Sequence, residues 1–467
     1  MAAAKGRGKD GNAKGSSGNG TVAPMSVRDI SEAQAAYIGE NLVDVATYPA
    51  RLPKDQDPPP VEFLYRRRHL LVRERDLNSV LAVIMAPGAD KTWKSRVGKI
   101  DFPTPGVARI ELLPTGPEDP IAEGKRVFGT IAAIEQQLGL GKAGVEYVLS
   151  VAPPVPPAGH CPATEPDPVP RKIRPQPGIS RSRCDGRGTL VAVLDTGFIK
   201  EARSRRHPWL AGVTGQRDRQ VRWGGAIERY GGHGTFIASI VRAMAPRAQV
   251  WAPRIFERAG AIYETDIVNA LLAVLDRAPD VISLSAGTHT WMDRGLLTFQ
   301  MFVNGPLREC KNTVLVAAAG NEGYNWKFSP AEMEEVVGVG ALGPGDARAW
   351  FSNFGDWVKV FAPGQDLIHA FAKGTYRYQE LRAGQQASFS GMARWSGTSF
   401  STPVVSGLIA ARMSGTGESA REAADSLLRL ARAQALPDVG PVLHPGQACL
   451  CTCGKPTRPV CSLAAAY

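Results

Sequence analysis

Between residues 190 and 361 short apolar runs recur at intervals: LVAVL at 190–194, VWAPR at 250–254, VISL at 281–284, VLVAA at 314–318, VVGV at 336–339 and VKVF at 358–361. Most are continuous rather than alternating, which is the pattern of strands buried on both faces. Between and after them lie segments with helical spacing, at 234–243, 265–277, 401–413 and 418–435. Short apolar strands interleaved with helices predict an α/β domain over 178–435, with a mainly parallel sheet covered on both sides in three layers. In such sheets the functional groups sit beyond the carboxyl ends of the strands. The stretch 365–394 lacks this rhythm and predicts a hairpin.

Upstream the pattern changes. Strands are expected at 69–73, 107–113 (VARIELL, alternating) and 145–151, with helices at 76–84, capped by Asp76, and 120–138. The order strand, helix, strand, helix, strand, with room for one more strand, predicts a small α+β domain over 61–152. Residues 26–46 read as a helix inside an otherwise poorly ordered tail and linker, 1–60, which ends in DQDPPP. The segment 153–177 is rich in proline and without periodicity; it reads as an extended, semi-rigid linker that cannot be a buried element. Residues 436–467 form a cysteine-containing tail.

Composition narrows the class. The chain has 467 residues, 43% hydrophobic and 21% charged, as expected for a globular protein with 50 glycines and 36 prolines marking turns and linkers. Its net charge of +11 is dispersed, and no nucleic-acid module accompanies it, so no specific nucleic-acid partner is expected. No apolar run reaches the length of a membrane span. The N-terminus MAAAKGRGKDGNAKGSSGNG has no apolar core behind its basic residues and is unlike a secretory signal. A cytoplasmic location is therefore expected, with secretion as the alternative. The seven cysteines are odd in number and clustered, which argues against a disulfide scaffold. Cys449, Cys451, Cys453 and Cys461 could offer four thiolates to zinc, although the spacing lacks the paired C-x₂-C units; a metal-free tail is the competing reading. Cys161 and Cys310 are expected to have no chemical role.

Four short motifs carry candidate chemistry. VAVLDTGF ends an apolar strand at Asp195, where a carboxylate could orient a histidine. GGHGTFIASIV holds His233 between glycines at a helix start. VLVAAAGNEG runs a small-residue strand into Asn321, whose side-chain N–H₂ could bind an oxyanion. RWSGTSFSTPVVSG places Ser399 between the Gly397 turn and a helix whose first turn would accept Pro403. Singly, each has a bland alternative: a turn aspartate, a loop histidine, an Asn-Glu-Gly turn, a small-residue helix start.

Together, and in this order, they closely resemble the subtilisin-like serine peptidases, the subtilase family. MAPRAQVWAPR at 244–254 and FSNFGDWVKVFAPG at 351–364 resemble further segments of that family. The resemblance implies a subtilisin-like fold and a serine endopeptidase acting on polypeptides. Ser399 would be the nucleophile, His233 the general base and acid, Asp195 its orienting partner, and Asn321 with the Ser399 N–H the oxyanion hole. Ser285, Ala286 and Gly287 would pair with the substrate backbone. Ala318, Ala319 and Gly320 would form the opposite wall of the pocket for the side chain before the cut, shaped further by residues 324–330. No cofactor is required for this chemistry, and no dense aspartate cluster assigns a calcium site. The 61–152 domain would be either a ferredoxin-like N-terminal segment that inhibits until cleaved or a permanent accessory domain. A protease dedicated to one precursor peptide and a silent binding module of the same fold are the alternatives. Phe236, Phe400 and Ser401 depart from common residues of the family, and Ala286 stands where a larger apolar residue is frequent. Arginine is dense at 203–222, which suggests either acidic partners or a solvated loop.

Overall fold

The computed structural model describes residues 36–42, 44–49, 61–86, 97–114, 120–151, 164–181, 185–257, 259–379 and 382–447. The N-terminal region is built from β1 (Val45–Pro49), β2 (Val61–Arg73), α1 (Leu77–Ile84), β3 (Val97–Thr104), β4 (Val107–Leu112), α2 (Pro120–Leu138) and β5 (Ala143–Ser150). Its antiparallel sheet runs β5-β2-β4-β3, with β1 added alongside β2. This β-α-β-β-α-β succession is the ferredoxin-like arrangement. Phe63, Tyr65, Leu70 and Val72 of β2 bury against Val127, Phe128 and Ile131 of α2. The strand that the periodicity did not reveal is β3.

Two expectations fail locally. Residues 36–41 are helical, but Val45 and Ala46 belong to β1, so the helix expected over 26–46 does not extend that far; its first half lies outside the described residues. Asp76 precedes α1 without a side-chain cap bond, because Lys142 Nζ draws its carboxylate away at 2.9 Å.

The larger region is organised by seven parallel strands in the order β15-β14-β13-β12-β7-β10-β8. They are β7 (Leu190–Leu194), β8 (Val213–Gly215), β10 (Gln249–Ala252), β12 (Val281–Leu284), β13 (Val314–Ala318), β14 (Val336–Leu342) and β15 (Val360–Pro363). Successive residues point to opposite faces. Val191, Val193 and Val316 enter the core shared with α3 (His233–Met244), α6 (Thr398–Thr416) and α7 (Ala420–Ala433). Ala192, Leu194, Leu315 and Ala317 enter the other, with α4 (Glu264–Leu275) and α5 (Leu297–Phe302). Three layers result, as predicted.

A third sheet corrects the reading of 153–177. The expected hairpin forms as β16 (Leu367–Arg377) and β17 (Gln386–Trp395), with β9 (Ala226–Ile227) beside it. On its other side lies β6 (Asp167–Pro168), from the segment taken for a bare linker. Glu165 is buried there and accepts from Tyr376 Oη at 3.0 Å, and Trp395 Nε1 donates to Thr164 O at 2.6 Å. The proline-rich composition sits at a sheet edge, where a missing N–H is tolerated. Likewise Val442 and Leu443 are buried beside Phe361, so packed structure continues past residue 435.

Both regions share one edge. β11 (Ala261–Tyr263) of the larger region pairs antiparallel with β5 of the smaller. At the N-terminus of α4, Glu264 accepts from Tyr147 N at 3.3 Å, and Thr265 Oγ1 donates to Glu146. The Arg66 guanidinium lies 3.6 Å from the Tyr263 ring centroid and also pairs with Glu146.

Candidate active site

Asp195 is the first residue beyond β7, and its Oδ1 accepts from the next N–H, Thr196, at 2.7 Å. His233 opens α3. Gly232 before it takes φ 86°, a conformation that favours glycine, and donates its N–H to Asp218 Oδ2 at 2.7 Å. Asp218 also accepts from Gln220 N and Thr196 Oγ1; burial pushes its carboxyl up to about 6. Gly234 permits the approach of the two motifs: a Cβ there would lie 2.4 Å from Gly197 O and 3.1 Å from Asp195 Oδ1. The outcome is a bidentate contact, His233 Nδ1 to Asp195 Oδ1 at 2.8 Å and Oδ2 at 2.9 Å, with both side chains fully buried. That leaves Nε2 as the nitrogen not engaged by Asp195, and it is buried without a hydrogen-bond partner.

The imidazole is walled by aromatic rings, Trp395 and Phe400, each with its centroid 5.3 Å away. Phe236 packs on Phe400 at 4.6 Å. Two of the departures from common family residues, Phe236 and Phe400, are thus neighbours in one apolar cluster. His369 lies against Phe236, and burial pushes its pKa down to about 3, so it is neutral.

Ser399 is the second residue of α6, where N–H groups lack intrahelical partners and the dipole favours negative charge. Pro403 is the sixth, in the second turn and not in the first as expected. It has no N–H to return to the Ser399 carbonyl four residues back. Ser285 Oγ donates to that carbonyl instead, at 2.9 Å. Asn321 Oδ1 accepts from Thr398 N at 2.7 Å and Thr398 Oγ1 at 2.9 Å. Since a backbone N–H can only donate, these bonds fix the amide, and its N–H₂ end points away from Thr398. The Thr398 hydroxyl is further tied to Gly320 N at 3.2 Å.

The predicted residues therefore converge from three strand ends and two helix starts. Ser285, Ala286 and Gly287 continue β12, while Ala318, Ala319 and Gly320 end β13 and its continuation. An extended backbone already lies on the first of these edges. Ser150 N donates to Gly287 O and Gly287 N to Ser150 O, each at 3.1 Å, and Val151 N donates to Gly260 O at 2.9 Å. The end of the N-terminal region is laid where a peptide strand would add.

Thr398 and Asp218 were not singled out from sequence. Thr398 lay in plain view within the serine motif, whereas Asp218 sits in the arginine-rich stretch with nothing local to mark it. In that stretch Arg217 stacks over Trp223 at 4.1 Å and Arg222 pairs with Glu228. Both arginines line a cavity of about 320 Å³ together with Lys373 and Phe371. Cys310 is disulfide-bonded, which corrects the expectation that it has no chemical role; its partner, like all other cysteines, lies outside the described residues. The four candidate zinc thiolates fall there too. Among the described residues no cluster of His, Cys, Asp and Glu could hold a metal, and no helix is long and apolar enough to cross a membrane.

Comparison with known proteins agrees with this geometry. A thermophilic serine proteinase of Bacillus sp. (strain AK1) is 36% identical over 188 residues, which cover 38% of this chain and 41% of that protein. Thermitase of Thermoactinomyces vulgaris is 32% identical over 247 residues, covering 50% of this chain and 78% of thermitase. Subtilisin E of Bacillus subtilis (strain 168) is 26% identical over 255 residues, covering 50% of this chain and 58% of that protein. The chain thus spans about half the length of some of these relatives and more of thermitase. A crystal structure of a cold adapted subtilisin-like serine proteinase aligns with a TM-score of 0.43 at 21% identity, covering 57% of this chain and 91% of that one. The model of the subtilase family, peptidase family S8, matches residues 186–436, more than half of the sequence, and the chain belongs to that family.

Proposed function

We propose that the protein is a serine endopeptidase in which Ser399, His233 and Asp195 act as a triad and Asn321 as an oxyanion donor. The observation that carries the reading is the buried bidentate contact between His233 Nδ1 and Asp195. It fixes the tautomer with Nε2 unprotonated, the form that can accept a proton. In the reaction Ser399 Oγ would bond to the substrate carbonyl carbon while its proton passes to His233 Nε2. The carbonyl oxygen, now negative, would be held by the Asn321 N–H₂ and the Ser399 N–H. Collapse breaks the C–N bond, with the His233 proton going to the leaving amine. Water then attacks the acyl-enzyme by the same base, releasing the acid and restoring the Ser399 hydroxyl.

We further propose that the N-terminal region inhibits the enzyme by occupying the substrate edge. The pairing of Ser150 with Gly287 and of Val151 with Gly260 supports this, since a polypeptide substrate would need the same backbone groups. A dedicated precursor peptide and a broad range of proteins both remain within this reading as substrates.

Intact mass after incubation with a fluorophosphonate tests it. One adduct on the wild type and none on Ser399→Ala is expected. Absence of any adduct, both on the full chain and after mild destabilisation of the N-terminal region, would refute an activated serine.

A further inference from the structure

The slot beside Ser399 has two walls. One is the continuation of β12, where Ser285 binds the Ser399 carbonyl; the other is the end of β13, where Gly320 binds Thr398. β12 and β13 are neighbours in the sheet, with Leu284 opposite Ala317. A substrate side chain from a strand laid on Gly287 would descend between these walls. Phe328 is already there. A Cβ built on Gly287 would lie 2.3 Å from Phe328 Cε1 and 2.9 Å from Cδ1, and one on Gly320 would lie 3.1 Å from Cδ2. Opposite edges of one ring thus fill the space that a side chain on either glycine would take, so the ring spans the gap between the two walls. The ring is 1% exposed. It is held in place by its own segment, since Thr288 and Ser329 exchange N–H···O bonds at 3.0 and 2.9 Å and Glu332 N donates to Phe328 O at 3.1 Å. His289 adds an edge-on contact with its centroid 5.2 Å away.

We infer that Phe328 closes the specificity pocket, so that the enzyme cuts after small side chains, glycine, alanine or serine, and rejects large apolar and aromatic ones. The inference rests on the protease reading above and names its substrate class. The competing floor is Glu322, a carboxylate that could receive a basic side chain. It lies beside the ring, its Oε2 2.6 Å from the Cβ that Gly320 lacks, and that oxygen is already engaged by Asn353 Nδ2 and faces His289 Nε2 at 3.6 Å. Burial disfavours a charged His289, but the Glu322 carboxylate outweighs it and holds the imidazole above its ordinary pKa. A cation arriving from a substrate would have to compete with the partners that Glu322 already has.

The test uses the full chain and a series of peptides that differ only in the residue before the cut: Gly, Ala, Ser, Leu, Phe and Arg. The N-terminal region lowers all rates by one factor, so the ratios of kcat/KM are the readout. For the wild type, Ala should exceed Phe and Leu by at least about tenfold, the scale on which apolar pockets discriminate by size. Phe328→Ala should reverse the order, raising Phe and Leu by about tenfold or more with little change for Ala. Phe328→Leu serves as the second variant, less disturbing to folding, and should give an intermediate profile. Equal wild-type rates for Ala and Phe would overturn the proposal, as would a variant that keeps the wild-type profile while still labelled by fluorophosphonate. Faster cutting after Arg than after Ala would assign the pocket to Glu322 and also overturn it. Failure of the protease reading would be seen separately, as a wild type that takes up no fluorophosphonate and cuts no peptide.

Discussion

At the scale of the residue, the serine loop is held by bonds that no single motif announces. Pro403 withdraws the helical partner of the Ser399 carbonyl, and Ser285 Oγ replaces it. Ser285→Ala should therefore leave a buried acceptor unpaired and cost about 1–3 kcal/mol of stability. Denaturant unfolding would measure it, and an unchanged midpoint would mean that water or a movement of α6 satisfies the carbonyl. Asn321 has a double part. Its oxygen anchors Thr398 and its nitrogen is left for the oxyanion. Asn321→Ala should lower kcat by about 10²–10³ with little effect on KM, the signature of a donor used only in the transition state. A loss confined to KM would assign Asn321 to substrate binding instead. Of the site itself, Asp195, His233, Asn321 and Ser399 were all legible, because each lies in a motif whose neighbours are glycines and small residues dictated by close approach. Asp218 was not legible, and Phe328 was legible only as one of residues 324–330 expected to shape the pocket. Their importance comes from what distant segments bring to them, Gly232 in one case and the walls at Gly287 and Gly320 in the other.

At the scale of the element, strands buried on both faces could be read almost to the residue. Leu190–Leu194, Val281–Leu284 and Val314–Ala318 coincide with their runs of four or five mostly apolar residues, each of which ends sharply at a polar or turn-forming segment. β2 was half missed. Its middle is Arg66, Arg67 and Arg68, and Arg68 takes φ 57°, where the pairing register also slips. Those arginines are neutralised by Glu146 and Glu123, contacts that periodicity cannot foresee. β3 was missed outright because Gly98 and Pro103 break its alternation. The joint between the regions gives a pH prediction. Glu264, fully buried where α4 meets β5, has its pKa raised to about 7, chiefly by desolvation, against an ordinary 4.5. A group whose pKa rises on folding adds stability that is complete below about 4.5 and is lost as pH climbs through about 7. Wild type should thus lose stability over that window, each tenfold gain in proton affinity on folding being worth about 1.4 kcal/mol. Glu264→Gln should lose none of this component. Denaturant midpoints of the two proteins at pH 5 and pH 8 check it, and parallel pH profiles would refute it.

At the scale of the whole molecule, the inhibition proposed above raises the question of how the substrate edge would be released from the N-terminal region. The antiparallel pairing matches Ser150 with Gly287. A substrate strand in the same register would bring the residue two positions beyond the one paired with Gly287 opposite Ser285, the residue bonded to the Ser399 carbonyl. In this sequence the bond after the corresponding position joins Ala152 to Pro153, with Pro154 next. Proline makes this a poor bond to cleave. Its nitrogen carries a ring carbon where other residues carry hydrogen, which crowds the side from which His233 must deliver a proton, and it restricts the backbone of the residue before it. The expected behaviour is a full-length chain that stays joined at this bond while its serine remains competent. Pro153→Ser should convert it into a chain that cuts itself after Ala152, and adding Ser399→Ala should abolish the cut. Intact mass followed over time distinguishes these. A wild type that splits between 152 and 153, or a Pro153→Ser protein that labels with fluorophosphonate yet stays whole, would show that the register does not continue to the nucleophile. If the chain stays whole while its serine labels, the inhibition proposed above would act by reversible docking, and the Glu264 joint would be one of the contacts that docking has to break.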